Sequence, residues 1–92
     1  MDPLVRLVKP KGTLQIITHL EKKGESRLTE IKRETGLTIN TTYAALRHLF
    51  DLKLVTQELS AGFPSAKYYK LTEKGMEIAG QLTAISKSLS EK

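Results

Sequence analysis

Apolar residues recur along this chain at two periods, and the change of period marks out its elements. Between Thr13 and Lys23, Leu14, Ile16, Ile17 and Leu20 fall at helical spacing. Thr13 is placed to cap that helix, and Gly24 to end it in the left-handed conformation. Leu28 leads into a short second helix, with Thr29 as its expected cap, Glu30 on its positive N-terminal end and Gly36 as its stop. Past the turn at Gly36, Thr38 is a natural N-cap for a longer third helix. Its inward stripe is Thr42, Leu46 and Leu49, flanked by Ala45 and Phe50. At Leu54 the period drops to two. Leu54 to Leu59 alternates, "AGFPSA" offers Gly62 and Pro64 as turn residues, and "KYYKL" carries strand-favouring tyrosines, so the pattern predicts a β-hairpin. Thr72 and Glu73 open a last helix through about Leu89, in which Ile78, Leu82, Ile85 and Leu89 recur at steps of four, three and four. The first dozen residues fit two descriptions: Leu4, Val5, Leu7 and Val8 form either a short helix or a strand before "KPKG" breaks the chain. They are too apolar to stay in water, so they cover either the domain itself or a second copy of it.

Composition narrows the function classes. A chain of 92 residues supports one core, and 39% apolar with 27% charged residues is the balance of an ordinary folded domain. Neither the apolar run of roughly 20 residues needed to span a bilayer nor the hydrophobic core of a signal peptide is present, so a cytoplasmic location is expected. With no cysteine there is no disulfide, thiolate metal site or thiol nucleophile. His19 and His48, the two histidines, sit on different predicted helices and are expected at the surface or half-buried. Neither a Ser, Asp and His grouping nor a phosphate-cradling glycine loop accompanies them. The expectation is therefore a protein that is no enzyme, with no cofactor, metal or small-molecule substrate. Fifteen Lys and Arg against ten Asp and Glu give a net charge of +5 and a pI near 9.6. That admits nucleic acid as a partner, and a merely solvated basic surface explains it equally well.

Helix, short helix, turn, longer helix and hairpin is the order of a winged helix-turn-helix, a DNA-reading module. The segment "LTEIKRETGLTINTTYAALRHLFDLKLVTQEL" resembles the helix-turn-helix of MarR-, ArsR- and HxlR-like winged-helix regulators. "KYYKLTEKG" is similar to their junction between wing and last helix, and the resemblance covers roughly residues 13–80. It implies an α+β, mostly helical fold with a three-helix core, a two-stranded wing and a C-terminal helix. The organisation read from this is an N-terminal apolar arm (1–12), a winged helix-turn-helix domain (13–72) and a C-terminal helix for dimerisation (73–92). One departure is Lys53, which stands where these families usually have Gly; a positive φ there carries a cost that Gly avoids.

A recognition helix lies in the major groove with its N-terminal residues against base edges. Thr38, Asn40, Thr41, Tyr43 and Arg47 stand on or at the start of the third helix with side chains suited to this. Asn can pair with adenine, Thr can touch a thymine methyl, and Arg47 can reach guanine or a phosphate. Ala44 is small enough to let the helix approach closely. The bland alternative is that Thr and Asn only cap the helix and Tyr43 is an exposed aromatic. Lys67, Tyr68 and Lys70 on the second wing strand, with Ser60 and Ser65 near the tip, can straddle the DNA backbone. Alternation turns Lys67 and Lys70 to opposite faces, and Lys67, beside the turn, is favoured; lysines also simply protect an edge strand. Thr29, Lys32 and Arg33 can seat a phosphate at the N-terminus of the second helix or decorate the surface.

The stripe of Ile78, Leu82, Ile85 and Leu89 outruns the domain, and a homodimer would straddle two half-sites roughly 34 Å apart. Leu at a and Ile at d favour an antiparallel or non-coiled pairing; the rival is a helix folded back on the first helix of its own chain. The expected function is that of a sequence-preferring, double-stranded DNA-binding transcriptional regulator acting as a homodimer. The other classes are a winged-helix protein–protein interaction module and a sequence-neutral DNA-packaging protein.

Overall fold

The computed structural model describes residues 3–59 and 67–91. In chain order these form α1 (Pro3–Val8), α2 (Thr13–Lys23), α3 (Leu28–Thr35), α4 (Ile39–Asp51), β1 (Val55–Leu59), β2 (Lys67–Leu71) and α5 (Glu73–Ser90). The expected winged arrangement is what forms: α2, α3 and α4 pack on one another, the β1–β2 hairpin follows, and α5 returns across α2 and β2. The core joins Ile16, Ile17 and Leu20 of α2 to Ile31 of α3 and to Ala45, Leu46 and Leu49 of α4. Leu54, Val55, Tyr69 and Leu71 at the base of the hairpin close it.

Two expected caps give way to longer-range bonds. Gly12, at φ 93°, is the N-cap of α2, and Thr13 lies inside the helix, where its buried hydroxyl donates to the Leu7 carbonyl at 2.8 Å. That bond ties α2 to α1. Helix α3 starts one residue before Thr29, at Leu28, with Arg27 as an N-cap that makes no side-chain bond. Ser26 sets this start: its N–H donates to the Tyr69 carbonyl at 2.9 Å and its carbonyl accepts from the Tyr69 N–H at 2.8 Å, holding the chain extended up to the helix. For the same reason Gly24 leaves α2 at φ 78°, ψ −139°, outside the left-handed helical well, whereas Gly36 occupies that well as expected. Thr38 caps α4 by accepting from the Thr41 N–H at 3.2 Å.

Thr42, Ala45, Leu46 and Leu49 make the buried face of α4, but Phe50 does not join them and is 55% exposed. At the helical step, position 50 follows Tyr43 and Arg47 on their stripe. Lys53 does take a positive φ, 64°. It is held there by its N–H to the Phe50 carbonyl (2.9 Å), by Leu54 N–H to the Leu49 carbonyl (3.0 Å) and by the Thr72 hydroxyl donating to its own carbonyl (2.7 Å). Thr72 then caps α5 by accepting from the Gly75 N–H at 3.0 Å, while its own N–H reaches the Leu54 carbonyl at 2.9 Å. This is the physical content of "KLTEKG": the hydroxyl clamps α5 to the start of the wing, and Gly75 permits it, since a Cβ there would stand 2.1 Å from the Leu54 oxygen.

The N-terminal segment is helical. Leu7 joins the core, and the ring Nε2–H of half-buried His48 donates to the Arg6 carbonyl at 2.6 Å; Val5 and Val8 face outward. His19, expected at or near the surface, is buried, with Nε2 3.0 Å from the Ser26 hydroxyl. On α5, Ile78 and Leu82 are half-buried against the chain's own core, whereas Ile85 is 52% and Leu89 82% exposed. Among the described residues no helix is long and apolar enough to cross a membrane.

Candidate nucleic-acid interface

The outward face of α4 is fixed by its cap. Thr38 donates its hydroxyl proton to the Thr41 hydroxyl at 3.0 Å and accepts from the Thr41 N–H; Thr42 turns inward and donates to the Thr38 carbonyl at 2.8 Å. Thr38 and Thr41 are thus engaged with one another at the helix start. The exposed positions that follow are Asn40, Tyr43, Ala44, Arg47 and Phe50, which recur at three and four residues along one stripe.

Strand pairing decides which wing residues accompany that stripe. The register is Val55↔Leu71, Gln57↔Tyr69 and Leu59↔Lys67, with Thr56↔Lys70 and Glu58↔Tyr68 between them. Directly opposed residues share a face. Val55, Leu71 and Tyr69 are buried towards the core, so Gln57, Leu59 and Lys67 lie on the α4 side. A groove of about 240 Å³ separates helix from hairpin there. Tyr43, Leu46, Arg47 and Phe50 form its helical wall; Gln57, Lys67 and Tyr69 form the other. Burial first, and then the neighbouring Tyr43 phenol, push the Tyr69 hydroxyl above its usual pKa.

Tyr68 and Lys70 occupy the opposite face. The Arg27 guanidinium sits 5.7 Å from the centre of the Tyr68 ring, within cation–π range. Lys70 pairs with Glu58 at 2.9 Å, and the hydrogen bond to that carboxylate, with its charge, raises the lysine pKa. These two residues are therefore separated from the α4 stripe and matched with partners of their own. The expected phosphate seat at the start of α3 also does not assemble: Thr29 is in the first turn, but Lys32 and Arg33 lie in the last, where Arg33 stands 3.8 Å from Glu34. A helix as short as α3 carries its two basic residues to the wrong pole of its dipole for that task. Ser60 and Ser65 lie outside the described residues.

Two exposed groove residues were not among the expected site residues: Phe50, expected on the inward face of α4, and Gln57, for which the sequence predicted no role. The spacing 43, 47, 50 carries the first signal, and strand parity with Val55 the second. Among the described residues no three His, Asp or Glu side chains cluster as a metal site.

A family model described as HxlR-like helix-turn-helix matches residues 7–92. The chain belongs to the HxlR-like helix-turn-helix family. It is thereby placed among winged helix-turn-helix transcriptional regulators, and the match selects one of the three families its sequence resembles. Three solved structures share the architecture. The reduced form of YodB from B. subtilis is 21% identical, with 94% of this chain and 88% of that one covered and a TM-score of 0.77. A chain from Porphyromonas gingivalis W83 assigned to the MarR family is 22% identical over 97% and 88% of the two chains, with a TM-score of 0.81. A protein from Archaeoglobus fulgidus is 19% identical over 97% and 99%, with a TM-score of 0.78. At these identities the likeness shows the fold alone. No curated protein matches this HxlR-like chain in sequence.

Proposed function

We propose that this HxlR-like chain binds double-stranded DNA with base preference and regulates transcription as a homodimer. The observation that carries the reading is the exposed stripe of Asn40, Tyr43, Ala44 and Arg47 on α4, with Lys67 of the wing beside it. Hydrogen-bonding side chains around a small residue suit a helix that must come close to base edges, and the cations suit the flanking phosphates. The net charge of +5 favours approach to a polyanion. On this reading the chain binds without performing chemistry, in the cytoplasm.

The homodimer rests on a second surface. Leu7, Leu52, Leu54, Ile78, Leu82 and Ile85 line an apolar groove of about 320 Å³, and Val5, Val8 and Leu89 are exposed on the two helices, α1 and α5, that supply its residues 7, 78, 82 and 85. Ile78 and Leu82 serve the chain's own core, so Ile85 and Leu89, with α1, are left as the contacts a second copy would cover.

One observation favours the protein-docking alternative. Phe50 and Leu59, 55% and 65% exposed, add apolar surface near the α4 stripe. Electrophoretic mobility with a random duplex library at two salt concentrations separates the readings. A shift that enriches particular sequences supports the regulator, and one without enrichment supports packaging. Absence of any shift leaves protein docking.

A further inference from the structure

On the DNA-binding reading above, we infer that the groove between α4 and the wing seats one backbone phosphate, gripped by Arg47, Lys67 and Gln57. Arg47 then positions the helix and does not read a base. Three elements supply the donors: α4 gives Arg47, β1 gives Gln57 and β2 gives Lys67, and all three line the same groove of about 240 Å³. Its charge is one-sided. Two cations line it, and no carboxylate does among the described residues. Lys70, on the other face of the hairpin, is paired with Glu58; neither Arg47 nor Lys67 makes an ion pair among the described residues, so both charges are available to a ligand.

Position along the helix agrees. Base edges are met by the N-terminal residues of a recognition helix, where Asn40, Tyr43 and Ala44 stand. Arg47 is a full turn beyond Tyr43 and lines a wall shared with the wing, the place where a strand's backbone would pass between the two elements. A phosphate there accepts from a guanidinium, an ammonium and a neutral amide at once, contacts that set register without reading sequence.

The test uses a duplex recovered from a random library by the wild-type chain, with affinity followed against salt. Removing one phosphate contact lowers the slope of log affinity on log salt by about 0.9, equivalent to about 3.5-fold in affinity over a fourfold rise in salt. Arg47→Ala and Lys67→Ala should each lower affinity at every sequence, and the double alanine variant should lose about one unit of slope, the share of one phosphate, with base preference unchanged at every position. Arg47→Lys should keep affinity, slope and preference near wild type, because a phosphate tolerates a point charge, whereas bidentate pairing to guanine does not. Gln57→Ala should weaken binding about three- to tenfold with the slope intact, since it removes a neutral donor. Thermal melts confirm that each variant is folded. Relaxed preference at one base position in Arg47→Ala or in Arg47→Lys overturns the clamp and makes Arg47 a reader. An unchanged slope in the double alanine variant, or a changed slope in Gln57→Ala, also overturns it. Absence of wild-type binding to any duplex is a distinct result, which removes the DNA-binding reading itself and the clamp with it.

Discussion

Gly75→Ala tests the junction on which the wing and α5 depend. A Cβ at Gly75 would lie 2.1 Å from the Leu54 carbonyl oxygen and 3.2 Å from a methyl of Leu71. An ordinary carbon-to-oxygen contact is about 3.3 Å or more, so the first turn of α5 must retreat by about 1 Å. The same Leu54 oxygen accepts from the Thr72 N–H, and Thr72 caps α5 through the Gly75 N–H, so the retreat strains both bonds. Losing the backbone bond costs about 1 kcal/mol and losing the cap about 1 kcal/mol. The overpacking that remains costs about 1–3 kcal/mol, against a helix-propensity gain of about 1 kcal/mol for alanine. The net expectation is a loss of about 2–4 kcal/mol, and a fall in Tm of at least about 8 °C for a domain of this size. Gly80 lies in the same helix with nothing within 4 Å of its added Cβ, and it supplies the control. Gly80→Ala should stabilise by about 0.5–1 kcal/mol. Urea titrations followed by circular dichroism at one fixed protein concentration measure both variants, since dimerisation would otherwise shift the midpoints. A Gly75→Ala chain as stable as wild type, or more so, would refute the clamp at the base of the wing.

Three further expectations test other parts of the molecule. Ile85→Glu should convert dimer to monomer in size-exclusion chromatography with light scattering and lower the melt only by the lost dimer linkage, whereas Leu82→Glu should destabilise the monomer itself by several kcal/mol through a charge pressed against the core. A wild-type monomer at high micromolar concentration would count against the dimer. Thr38→Ala should cost about 1 kcal/mol by removing the α4 cap, read as a lower urea midpoint with an unchanged m-value. Because burial raises the Tyr69 pKa above 10.0, the unfolded chain ionises first; the stability held below about pH 10 is lost as pH rises through the folded value. Tyr69→Phe should flatten that alkaline loss, and an unaltered pH profile of the urea midpoint would contradict it.

Element types followed from local pattern: period 3.6 for the helices, the stretch Leu54 to Leu59 for the first strand, and side chains at Thr38 and Thr72 placed to accept from the third N–H beyond. What failed was local reasoning about groups that a distant partner claims. Thr13 has the right chemistry for a cap, yet Leu7 takes its hydroxyl; Thr29 has it too, yet the pairing of Ser26 with Tyr69 sets the N-cap of α3 two residues earlier, at Arg27. The site suffers the same limit. Strand parity separates Lys67 from Tyr68 and Lys70, but two adjacent tyrosines hide which parity faces inward. Only the pairing of Val55 with Leu71 makes the odd positions the α4 side.

The stripe on α5 shows why periodicity cannot distinguish a core from an interface. Ile78, Leu82, Ile85 and Leu89 share one spacing and one chemistry, yet the first two are half-buried and the last two exposed. What divides them is the length of the neighbouring helix. Thr83 of α5 donates to the Glu21 carboxylate at 2.6 Å, and Glu21 lies in the final turn of α2, which ends at Lys23. Beyond that bond α5 runs on for seven more residues to Ser90, past the end of the helix it packs against. On this stripe Ile78 and Leu82, before position 83, therefore have their own chain to cover them, whereas Ile85 and Leu89 are left more than half exposed. This is the physical reason for testing the dimer at Ile85: there the introduced charge meets the proposed partner without first meeting the core.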